Sequence, residues 1–137
     1  MIEKLAQRAA DQAGRSRLEY PQALLTVRVP CTGRVEPAFV LQALREGADG
    51  VLIAGCHPGD CHYVDGNLRA HARHALLVRA LGQAGVEPGR CRLAWTGASE
   101  AEKFAAVVAL NRLRPPKVEN EPIRWISAFR FWNSSLE

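Results

Sequence analysis

Four cysteines stand in the 137 residues, at positions 31, 56, 61 and 91. Two of them bound the block Cys56-His57-Pro58-Gly59-Asp60-Cys61. There the proline fixes φ and the glycine permits a tight turn, so a short loop clamps a thiol at each end. The start, Met1-Ile2-Glu3-Lys4-Leu5, has no apolar leader segment. Clustered cysteines in such a chain point to metal or redox chemistry rather than to a secreted disulfide framework. The C-x4-C spacing occurs in plant-type [2Fe–2S] ferredoxins. His57 and His62 beside the thiols also suit Zn²⁺. Neither has a second-ligand spacing beyond adjacency, so each reads as a supporting or surface residue. His71 and His74 are spaced for one helix face, which signals partial burial, and Asp60 and Asp65 read as loop caps. There is no Gly-x-Ser-x-Gly elbow, Walker loop or Gly-x-Gly-x-x-Gly turn. Hydrolysis and acyl transfer have no nucleophile–base pair to rest on.

Thiols 25 residues apart meet only if the fold carries them together, so the elements between them matter. Residues 3–12 carry apolar side chains at helical spacing, with Gly14 as a stop. Leu24-Leu25-Thr26-Val27-Arg28-Val29, between Pro21 and Pro30, predicts a strand, and Cys31-Thr32-Gly33-Arg34 a loop. Glu36-Pro37 opens a helix that ends at Gly47 and buries Phe39, Val40, Ala43 and Leu44. Val51-Leu52-Ile53-Ala54 is an apolar run suited to a strand covered on both faces. Residues 55–66 form a loop rich in turn formers, and a helix follows over 67–83. Cys91-Arg92-Leu93-Ala94-Trp95 alternates as a strand, and Ser99 caps a last helix reaching towards Pro115-Pro116.

This alternation predicts an α/β fold: a small layered parallel sheet of three strands with flanking helices and right-handed crossovers. Three strands make a thin sheet, to be completed at the N-terminus, by a partner or by the tail. Residues 1–114 form the α/β domain. Residues 115–137 form an aromatic and basic tail, with Trp125, Ile126, Phe129, Phe131 and Trp132 among arginines. Such a tail suits partner docking or folding back over its own domain.

In an open parallel sheet, ligands collect beyond the carboxyl ends of the strands. Cys31 follows the first predicted strand, Cys56 the second and Thr96-Gly97 the third. Neighbouring strands lie about 5 Å apart, so Cys31, Cys56 and Cys61 are expected to converge and are the candidate ligands. Cys91 falls within a strand, where a cysteine is ordinarily a small buried hydrophobe.

Composition narrows the classes further. Apolar residues make up 47% and charged residues 23%, as in ordinary globular domains. The net charge of +4 is spread over scattered arginines. That pattern argues against nucleic-acid binding and suits a solvated surface or acidic protein partners. No apolar stretch approaches the roughly 20 residues of a membrane span, and a cytoplasmic location is expected.

Several segments together resemble one family. They are Ala13-Gly14-Arg15-Ser16-Arg17-Leu18-Glu19-Tyr20-Pro21, Val29-Pro30-Cys31-Thr32-Gly33-Arg34-Val35-Glu36-Pro37, the run from Glu46 through Gly55-Cys56-His57-Pro58-Gly59-Asp60-Cys61-His62-Tyr63, Gly66-Asn67, and Ala98-Ser99-Glu100 with Lys103-Phe104. They are similar to the delta subunit of methyl-viologen-reducing hydrogenases (MvhD-like), over about residues 11–113. The resemblance implies a [2Fe–2S] electron-transfer subunit of an oxidoreductase complex. It implies relay between a hydrogenase or formate dehydrogenase module and a flavin-containing, heterodisulfide-reductase-like subunit. Cys31, Cys56 and Cys61 match family cysteines. The family also has a Cys-x-x-Cys motif after an N-terminal strand, and by register those cysteines fall at Ile2 and Leu5 here. A four-thiolate site then needs a further ligand: Cys91 after rearrangement, a histidine as in Rieske-type centres, or a partner residue. The alternatives are a cluster-free structural adaptor of a redox complex and a small zinc-binding domain.

Overall fold

The structure, a computed structural model, describes residues 1–2, 4–20 and 24–112. Among the described residues, four α-helices and two regular strands follow in the order α1 (Lys4–Arg15), α2 (Pro37–Arg45), β1 (Val51–Gly55), α3 (Gly66–Gln83), β2 (Cys91–Trp95) and α4 (Ala101–Arg112). β1 and β2 pair in parallel, with Val51 opposite Cys91 and Gly55 opposite Trp95. The mixed α/β class expected from the sequence is the one observed.

β1 is buried along its whole length, and its alternation explains why it has no polar face. Leu52 and Ala54 join Ile2, the α1 alanines Ala6, Ala9 and Ala13, and Ala101, Phe104 and Val108 of α4 in one core. Val51 and Ile53 point the other way, into a core with Val40 and Ala43 of α2, Leu77 and Leu81 of α3, and Cys91. Successive strand side chains face opposite sides, so a strand between two helical layers must be apolar at every position. The three alanines of α1 are fully buried at i, i+3 and i+7, which lets that helix lie close against the sheet.

The third expected strand, over residues 24–29, is not regular. Only Arg28 makes a bridge there, parallel to Ile2, and Ile2 also bridges Ala54 in parallel. Met1-Ile2 therefore lies between the 27–29 segment and β1. Ile2 donates its N–H to the Val27 carbonyl at 2.8 Å and accepts from Val29 N–H at 2.9 Å, while Ala54 N–H donates to the Met1 carbonyl at 2.9 Å. A ladder only two residues deep cannot extend its neighbour into a full strand, which is why the expected strand is reduced to one bridge. The thinness of the predicted sheet is thus partly relieved from the N-terminal side. The last helix begins at Ala101, two residues beyond the expected Ser99 cap. The expected docking tail, residues 115–137, lies outside the described residues.

Candidate metal centre

All the strand directions agree, so Ile2, Val29, Gly55 and Trp95 lead to the same edge of the sheet. Cys31 follows the bridged segment and opens a single 3-10 turn, Thr32–Arg34, where its Sγ accepts from Gly33 N–H at 3.4 Å. Cys56 follows β1 directly and is fully buried. The loop then turns through Gly59, at φ 93°, and returns to Cys61, which is partly exposed. Cys31 Sγ and Cys61 Sγ are 3.9 Å apart, and the Cys56 thiol interacts with Cys61 as well. The three thiols, far apart in sequence, are brought to one rim.

Cys61 is held in an unusual state. Burial opposes ionisation, yet the amides of Asn67 and Tyr63 and the neighbouring thiols of Cys56 and Cys31 outweigh it, and the Cys61 thiol sits below its ordinary value. A lowered thiol pKa is what a metal-ligating cysteine requires.

The first turn of α3 makes this close gathering possible. A Cβ on Gly66 would lie 2.2 Å from Cys31 Sγ and 3.4 Å from Cys61 Sγ, so only glycine fits between these sulfurs and the helix. Asn67, also fully buried, donates from its side-chain amide to the carbonyls of Cys56, at 3.2 Å, and His57, at 2.7 Å. Arg73 Nη1, two turns along α3, donates to the Gly33 carbonyl at 2.6 Å.

Three observations test the fit of an iron–sulfur group. The 3.9 Å sulfur separation matches the roughly 3.8 Å between two thiolates sharing one tetrahedral metal at about 2.3 Å. The Thr32 hydroxyl, next to Cys31, is buried with no hydrogen-bond partner among the described residues, and a buried donor of that kind calls for an acceptor. The donor set, three soft sulfurs, suits iron–sulfur ligation. By donor chemistry, Cys31, Cys56 and Cys61 are the residues that would hold such a group. Among the described residues, no group of three or more His, Cys, Asp and Glu side chains is already arranged to hold a metal ion. The thiols are gathered, and a complete coordination shell needs a contribution beyond them.

Cys91 cannot be that contribution in this fold. It starts β2 at the opposite end of the sheet, four residues of strand and about 13 Å from the rim. Burial there pushes its thiol up to about 11, tempered by the nearby Met1 amine. As a further ligand it would need the fold to rearrange, and its surroundings here fit the plain core role. Of the two positions where the resemblance implies family cysteines, Ile2 is buried in the core and Leu5 lies in the first turn of α1.

The histidines separate clearly. His57 Nε2 lies 2.6 Å from Glu100 Oε2 and 3.4 Å from Lys103 Nζ. Gly97 N–H donates to the same Glu100 oxygen at 2.6 Å. The Gly97 amide first, then His57 and Lys103, hold the Glu100 carboxyl down at about 2. This cluster ties the Cys56 loop to the loop after β2, and its partners are over 40 residues apart in sequence. His62 stacks edge-on against Tyr63, and His71 lies beside Trp95. His74 contacts the Cys91 carbonyl at the far end. Asp65 pairs with Arg69 at 2.9 Å. Sequence reasoning does not mark Gly66, Asn67 and Arg73 as members of the site. The one signal that could find them is a Gly-Asn pair opening a helix immediately after a cysteine loop.

Among the described residues no helix is long and apolar enough to cross a membrane. The family model of the methyl-viologen-reducing hydrogenase delta subunit matches residues 1–111. An iron-sulfur subunit of the F420-non-reducing hydrogenase of Archaeoglobus profundus is 50% identical over 116 residues, covering 81% of this chain and 85% of its own. The vhc iron-sulfur subunit of the F420-non-reducing hydrogenase of Methanococcus voltae is 49% identical, over 74% of this chain and 69% of its own. One component of the ferredoxin/F(420)H(2)-dependent CoB-CoM heterodisulfide reductase of Methanosarcina acetivorans is 43% identical over 72% of this chain, but the match spans only 12% of that longer protein. On the family match and these identities, the chain belongs to the methyl-viologen-reducing hydrogenase delta-subunit family.

Proposed function

We propose that this chain is an electron-transfer subunit that holds a [2Fe–2S] cluster on Cys31, Cys56 and Cys61 in the cytoplasm. The observation that carries the reading is the meeting of these three thiols at the carboxyl edge of the sheet, with Cys31 and Cys61 3.9 Å apart. A bound cluster would supply one-electron chemistry. The chain supplies soft ligands, a lowered Cys61 thiol, buried amides aimed at sulfur and a rim open to a partner through Cys61. The fourth ligand comes from a histidine or from the partner.

The partners follow from the relatives' names. Iron-sulfur subunits of hydrogenases and much longer components of heterodisulfide reductases both match this domain. Those names support a hydrogenase module on one side and a heterodisulfide-reductase-like subunit on the other; a formate dehydrogenase in place of the hydrogenase, and a flavin on the second partner, are what the family resemblance adds to the proposal. The sequence of residues 115–137, with its aromatics among arginines, suits a docking segment.

One observation favours a second reading, a cluster-free adaptor of the same complex: Ile2 fills the core, at a position where the family resemblance implies a thiol. Anaerobic purification with its partners, followed by iron and acid-labile sulfide analysis and EPR of the reduced protein, separates the two. Equal iron and sulfide with a one-electron signal supports the cluster. Protein free of both, in the presence of its partners, defeats it; bound zinc instead assigns a zinc domain.

A further inference from the structure

We propose that the buried Asn67 is a positioning residue that, with Gly66, sets the geometry and reduction potential of the group held by the three cysteines. This rests on the cluster reading above and goes beyond it in naming what tunes the site.

Every polar group of Asn67 is engaged towards the site or the turn beside it. The side-chain amide donates to the Cys56 and His57 carbonyls, and Oδ1 accepts from Leu68 N–H at 2.8 Å. Its own backbone amide donates to Cys61 sulfur. The usual alternative is missing, since Asp65 at the helix start makes no capping bond and pairs with Arg69 instead. The first-turn amides of α3 are therefore left for sulfur and for Asn67 itself. One residue thus fixes the exit of β1 through Cys56 and donates to the sulfur at Cys61. Gly66 allows this by admitting Cys31 Sγ where any Cβ would collide, and Arg73 ties the Cys31 turn to the same helix.

Donors aimed at thiolate sulfur favour the reduced, more negative state, and outer hydrogen bonds of this kind tune iron–sulfur potentials. Loosening the turn that aims them should lower the potential without removing a ligand. A purely structural Asn67 would instead affect stability alone.

The test is Asn67→Leu, which keeps a branched side chain and the backbone amide but removes the side-chain bonds to the Cys56 and His57 carbonyls, made in the full chain with its partners. Iron, acid-labile sulfide and the midpoint potential, followed by EPR, are measured beside wild type and Leu68→Ala, an exposed neighbour. The expected result is retained iron and a tenfold shift of the reduction equilibrium against the reduced state, about 59 mV downward for a one-electron couple. Leu68→Ala should match wild type. If Asn67→Leu loads iron at the wild-type potential, the positioning role is overturned and the cluster reading stands. If wild type itself carries no iron and sulfide, both fall. Should Asn67→Leu fail to fold by circular dichroism, the smaller and uncharged Asn67→Ser decides: a lowered potential with iron retained supports the positioning role, and an unchanged one overturns it.

Discussion

Cys61 and Cys91 carry the same thiol at opposite ends of one small sheet, and their surroundings give them opposite chemistry. At the rim, amides and neighbouring sulfurs overcome burial and hold Cys61 below its ordinary value. At the far end, Cys91 lies among Val51, Leu77 and Leu81, and burial drives it to about 11. Burial and the donors pointing at sulfur together decide what a cysteine does: Cys61 is less buried and has donors, Cys91 is buried. The donors come from the loops and helix starts that parallel strands gather at one edge.

Removing ligands should break the contrast most sharply. Cys56→Ser and Cys61→Ser are each expected to lose the bound iron and sulfide. Cys91→Ala should retain both and lower stability by about 1 kcal/mol, as for a small core deletion. Iron analysis and denaturant unfolding check this pair, and equal iron loss in all three variants would erase the distinction between the two ends. Gly66→Ala is expected next in size. Its methyl must displace Cys31 Sγ or the helix, with a loss of about 1–3 kcal/mol as for overpacked cores and impaired iron loading. Wild-type stability and iron content would show that the helix yields.

Thiol reactivity sharpens the comparison without any metal. Burial lifts the Cys91 thiol to about 11, so little of it is thiolate at pH 8, whereas the Cys61 thiol lies below its ordinary value and is partly exposed. Iodoacetamide should therefore label Cys61 faster than Cys91, as followed by peptide mass spectrometry in folded, metal-free protein, and equal rates would erase the contrast. The smallest effect belongs to Glu100. Its carboxyl, depressed to about 2 from 4.5, contributes stability that is complete above pH 4.5 and is lost as pH falls towards 2. The advantage of wild type over Glu100→Gln in thermal unfolding should shrink across that window, and a constant difference would rule the linkage out.

The parts of the molecule legible in the sequence are those with period or punctuation. Val51–Ala54 announces a strand covered on both faces, α3 is bounded to within a residue, and the turn formers between Cys56 and Cys61 mark a loop. Placing thiols after strands is enough to foresee that Cys31, Cys56 and Cys61 meet. The Met1-Ile2 lane is illegible because two residues carry no periodicity, and residues 24–29 resemble a strand because propensity cannot show how short their neighbour is. The Glu100 cluster depends on contacts across more than 40 residues. Asn67 has the look of an ordinary helix opening, since nothing local marks an amide that will be buried against a carbonyl pair.

Arg90 reaches across the opposite margin of the sheet, donating to the carbonyls of Ala48 and Asp49 at 2.7 Å each. It staples the approach of β1 to that of β2 before either strand begins. A slip of one residue would turn every β1 side chain to the wrong layer. The phase in which Cys56 arrives beside its fellow sulfurs is thereby decided about 20 Å away, by a guanidinium that never touches them.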